Sequence, residues 1–128
     1  MQYVFVLGGY DGESCCCDVA IFSPDGAPSS HFAPGTRRML SPRDGLASVY
    51  ADGNLVAIGG HDGTNYLASS EILSACSPYT GRFKEWTDLP GMSTSRAMHA
   101  ATCIDYGTTT RIFAFGGQVH KMGLITLI

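Results

Sequence analysis

Double glycines recur three times along this 128-residue chain, at Gly8-Gly9, Gly59-Gly60 and Gly116-Gly117, at intervals of 51 and 57 residues. Each closes a five-residue, mostly apolar segment, YVFVL at 3–7, NLVAI at 54–58 and RIFAF at 111–115, and the three align without gaps. The first two continue in the same way, Gly-Gly-Tyr-Asp-Gly against Gly-Gly-His-Asp-Gly. A period near 50 residues belongs to chains that stack one supersecondary unit on the next, because a single unit cannot bury its own apolar faces. Arginine gives a second register: Arg43 and Arg96 lie 53 residues apart.

From Arg43 the unit reads as four strands. Segment 43–50 has the small and apolar residues of a tightly packed strand, and Asp52-Gly53 supplies a hairpin turn that needs positive φ. Residues 55–58 are apolar on both faces, which implies burial on both sides. Gly59-Gly60 ends that strand where unusual dihedrals and close backbone approach are required. A polar loop, 61–66, leads to a third strand expected over 69–76, a turn at 77–81, and a fourth strand over 83–87 that carries Trp86, the only tryptophan. The first copy offers a strand near 18–22, a turn at 23–26 and a short strand around 31–33; the third offers strands at 97–105 and 111–115. Arg96 to Gly116 is 20 residues against 16 for Arg43 to Gly59, and the four extra residues are expected in the turn at 106–110.

An arginine, a buried strand ending in Gly-Gly, a Tyr-Asp-Gly loop and Trp86-x-x-Leu89-Pro90-x-Met92 together resemble the kelch repeat, over roughly residues 2–117. The resemblance implies an all-β fold of kelch-type β-propeller blades, each a four-stranded antiparallel sheet around a central channel. It divides the chain into a partial blade (1–42, the last three strands), a complete blade (43–95), a partial blade (96–117, the first two strands) and an atypical C-terminal tail (118–128). The copies depart from the family pattern at Cys76, where an aromatic is expected, in the first copy's lack of a tryptophan, and after Gly117.

Nine expected strands make slightly over two blades, an incomplete propeller, whereas closed propellers have about four to eight. Three readings follow: a fragment of a longer protein, a module that self-associates through its exposed blade faces, and an open module that completes its sheets on a partner. Net charge is only −3, with no electrostatic footprint for nucleic acid or a membrane surface, and Arg37-Arg38 reads as a solvated loop. No basic leader precedes the first strand, and no apolar run approaches the ~18 residues of a membrane-spanning helix. Five cysteines, three of them consecutive at 15–17 and none in CxxC spacing, read as reduced thiols in a cytoplasmic protein.

Candidate partner-binding residues are Tyr10, His61, Asn65 and Tyr66, polar and aromatic side chains on the loops after the double glycines. Gly8, Gly9, Gly59, Gly60, Gly116 and Gly117 are expected to be structural. So are Arg43 and Arg96, whose guanidinium donors can hold loop carbonyls, and Trp86, expected in packing between blades. His31, His61, His99 and His120 fall at unrelated repeat positions, and no HExxH grouping occurs, so neither metal nor other cofactor is expected. No GxSxG or phosphate-binding glycine loop opens a helix, so no catalytic residue is assigned. What the resemblance implies is a non-catalytic protein-interaction module. Substrate-recruiting and cytoskeletal scaffolds of that family are often joined to a BTB domain. The alternative is a piece of a propeller enzyme acting on a carbohydrate or other small molecule.

Overall fold

The computed structural model describes residues 2–29, 34–77, 82–119 and 125–127. They form an all-β chain of antiparallel sheets, with one 3-10 turn at Pro34–Arg37 and no α-helix among the described residues. In the first sheet β1 (Val4–Leu7) pairs with β2 (Val19–Phe22). The second is a four-stranded meander of β3 (Ala47–Ala51), β4 (Asn54–Ile58), β5 (Ser70–Ser77) and β6 (Arg82–Leu89), in sequence order. In the third, β8 (Ala100–Tyr106) pairs with β9 (Thr109–Phe115), and β9 pairs with β11 (Ile125–Leu127). A short ladder joins β7 (Arg96–Ala97) to β10 (Gln118–Val119). These are successive propeller blades, and the residues expected as a C-terminal tail supply β10 and β11.

The hairpins follow their turn residues. Asp52 (φ 48°) and Gly53 (φ 77°) both take positive φ, the type I′ pattern that matches strand twist. In the third blade the expected longer turn does not occur. Gly107 (φ 63°) and Thr108 make a two-residue turn, and the four extra residues lengthen the strands, seven residues each in β8 and β9 against five each in β3 and β4. The strand expected over 97–105 is likewise broken. Met98 sits at φ 54°, where the preceding repeat has Gly45 at φ 60°, and this left-handed residue separates β7 from β8. The strand expected at 31–33 and most of the turn at 77–81 lie outside the described residues.

Side-chain alternation sorts each blade into two faces. Phe5, Leu7, Val19 and Ile21 of the first blade pack on Leu55, Ala57, Leu73 and Trp86 of the second. The opposite face of the second blade, Val49, Ala51, Val56 and Ile58, packs on Ile112 and Ala114 of the third. Residues 55–58 are therefore buried on both sides, which is why none of those four is polar. Trp86 is only 3% exposed within the first layer, and its indole N–H donates to the Thr36 carbonyl at 3.0 Å.

Candidate interaction rim

The double glycines and the arginines meet at one joint. Gly9 N–H donates to the Arg43 carbonyl at 2.8 Å, and Gly60 N–H to the Arg96 carbonyl at 2.9 Å, so each glycine pair ties its blade to the next. A Cβ on Gly59 would stand 2.6 Å from the Arg96 carbonyl oxygen, and one on Gly60 2.8 Å from that of Asp44, both at positive φ.

Arg43 is fully buried. Its Nη1 donates to the Gly59 carbonyl at 2.8 Å and the Ser69 carbonyl at 2.9 Å, and its Nε pairs with Glu71 Oε2 at 2.8 Å. Glu71 is also fully buried and accepts from the backbone N–H groups of Leu40 and Ser41. Arg96, equally buried, repeats the first of these contacts, Nη1 to the Gly116 carbonyl at 3.0 Å. Neither guanidinium faces solvent. Between the second and third blades lies His99, 9% exposed, with no hydrogen-bond partner for either ring nitrogen among the described residues. Burial, with the Arg96 charge as the smaller cause, pulls its pKa from 6.5 down to about 4.

The loops beyond the glycines are built alike. Asp11 Oδ1 accepts from the backbone N–H of Glu13 and Ser14, each at 2.8 Å; Asp62 Oδ1 accepts from Thr64 at 2.8 Å and Asn65 at 2.7 Å. These bonds hold both carboxyls below the usual carboxylate value, Ser14 and Asn65 giving the largest effect in each loop. Gly12 (φ 102°) and Gly63 (φ 103°) complete the turns. The aspartates thus shape the loops and leave the flanking side chains to present outward.

Tyr10 is 59% exposed at the neck of its loop, where it bridges to Cys15. His61 and Tyr66 occupy the matching neck positions and stack edge to face, with ring centroids 5.1 Å apart. Asn65 is exposed at the loop tip. The Tyr66 hydroxyl reaches the third blade and donates to Gln118 Oε1 at 3.0 Å. A Cβ on Gly63 would stand 3.9 Å from Cys15 Sγ of the first loop, so the loops of three blades share one rim, with Asp44 joined to it through its backbone bridge to His61. Gln118 and Asp44 escaped the sequence reading, although Gln118 follows its double glycine as Tyr10 and His61 follow theirs. Asp11, Glu13 and Asp62 lie on the two loops and Asp44 is bridged to His61, while residues 10–15 and 61–66 include neither lysine nor arginine.

Cys15, Cys16, Cys17 and Cys103 are free thiols. Burial raises the first two above their ordinary pKa, helped by Asp44 and Asp62 at Cys15 and by Asp11 and Asp18 at Cys16. Arg38 Nε donates to Cys17 Sγ at 3.2 Å. Among the described residues no three His, Cys, Asp or Glu side chains converge to hold a metal ion, and no helix is long and apolar enough to cross a membrane. A cavity of about 290 Å³ lies away from the rim, between the β3–β4 hairpin and the third blade, lined mainly by Ala51, Val56, Ile72, Leu89 and Ile112. Asp52 is the one ionisable side chain among the described residues of its wall.

Residues 42–93 match the family model described as the kelch motif. No curated protein matches the chain.

Proposed function

We propose, for a chain that carries a kelch repeat over residues 42–93, the role of a non-catalytic protein-interaction module that engages its partner through the loop rim. The observation behind this reading is the continuity of the rim: exposed Tyr10, the stacked His61–Tyr66 pair, and the Tyr66–Gln118 bond that links consecutive blades. Rigid strands hold these loops, and aromatic side chains on them offer binding area at small entropic cost. The carboxylates on these loops favour a partner segment bearing lysine or arginine, so binding weakens as salt rises. Free thiols suit a cytoplasmic setting. In a longer protein the module would act as a recruiting scaffold.

The test is selection of peptides on the immobilised chain, followed by binding of the selected peptides to Tyr10→Ala, His61→Ala and Tyr66→Ala. All three variants keep the parent's thermal melt, and at least two lose most of the affinity. Undiminished binding to all three would overturn the rim assignment. Turnover of a sugar by the purified chain would favour the enzyme alternative.

A further inference from the structure

The two internal blade joints define which face of one blade seats on which face of the next. Alignment on the double glycines makes Val4 and Val6 the counterparts of Leu55 and Ala57, and of Ile112 and Ala114. The last four are at most 7% exposed, each packed on the preceding blade, whereas Val4 and Val6 are 57% and 51% exposed. On the other side Ile58 corresponds to Phe115, and Ala51 to Ile104. Ile58 and Ala51 are buried against the following blade, while Phe115 and Ile104 are 43% and 44% exposed. The two open apolar faces at the ends of the array are thus the two halves of a joint the chain already forms twice. Faces of this kind, complementary but not identical, associate head to tail.

We propose that a second copy of this chain covers both, the third blade of each copy seating on the first blade of the other. Each copy contributes strands to three blades. Two copies bring together six whole or partial blades, within the four to eight of closed propellers, whereas three would bring nine. The assembly is a closed dimer with two equivalent joints. This inference is independent of the rim reading.

Light scattering after size exclusion tests it on the full chain, with two variants altered only at exposed positions. Val4→Glu/Val6→Glu blocks one face and Ile104→Glu/Phe115→Glu the other. The parent runs at twice its 13.6 kDa, each variant alone at the single-chain mass, and an equimolar mixture of the variants returns to the double mass through its one intact joint. A photo-crosslinking residue at position 6 of the parent reads the contact directly, and its adduct forms on residues 100–115 of another copy. A monomeric parent, polydisperse growth, dimerisation of either variant alone, or crosslinks confined to other regions would each overturn the proposal.

Discussion

Replacing Glu71 by glutamine removes one charge and changes almost no volume, yet the structure makes it one of the most damaging single substitutions in the chain. The carboxylate is fully buried and accepts from Arg43 Nε at 2.8 Å, from Leu40 N–H at 2.5 Å and from Ser41 N–H at 3.2 Å. Removing one member of a buried ion pair leaves the other charge uncompensated, at a cost of about 3–5 kcal/mol. A glutamine oxygen can still accept one or two of the three bonds, but its amide group then turns a donor toward other donors, adding about 1 kcal/mol. A total of about 4–6 kcal/mol is comparable with the whole stability of many domains, roughly 5–15 kcal/mol. Thermal melting followed by far-ultraviolet circular dichroism should fall by about 12 °C or more for a chain of this size. Exchange at the Leu40 and Ser41 amides should accelerate before global unfolding. In a double-mutant cycle with Arg43→Leu, the coupling should be about 3 kcal/mol, because the second substitution removes the stranded charge. A Glu71→Gln protein melting within about 3 °C of the parent, or strictly additive losses in the cycle, would refute the reasoning.

His99 gives stability a pH dependence. Its pKa falls from 6.5 in the unfolded chain to about 4 in the folded one, so the unfolded state binds more protons between those values. Stability is retained above pH 6.5 and declines by about 3 kcal/mol as pH falls from there to 4, and urea titrations of His99→Leu should show that segment flattened. Gly59→Val and Gly60→Val should yield unfolded or insoluble protein, since each needs positive φ and the new Cβ would collide with a carbonyl of the adjoining segment; a soluble, cooperatively melting variant would contradict this. Met98→Gly should raise stability by about 0.5–1 kcal/mol in the same titrations, because left-handed backbone is strained for methionine and the side chain is 63% exposed.

The parts of this fold that were legible in the sequence are those fixed by short-range chemistry. The double glycines, the Asp52-Gly53 turn and the apolar run 55–58 each carry a local requirement that few other residues meet. Arg43 and Arg96 stood out only by recurrence, and the contact that accounts for Arg43, Glu71, lies 28 residues away. The third blade was harder to read. Its extra residues entered the strands because Gly107 supplies a tight turn of its own, and β11 shows no family motif, so only pairing with β9 reveals it. Met98 misled for a related reason. A methionine at positive φ leaves no mark in the sequence beyond its alignment with Gly45.

The rim account is tested most directly by mapping a selected peptide onto the ¹⁵N-labelled chain by amide chemical shifts. The largest changes should fall on residues 10–15, on 61–66 and on Gln118, with the buried strands 55–58 and 112–114 unmoved. Changes centred on the β3–β4 hairpin and the cavity beside Ile112, with the rim silent, would contradict it.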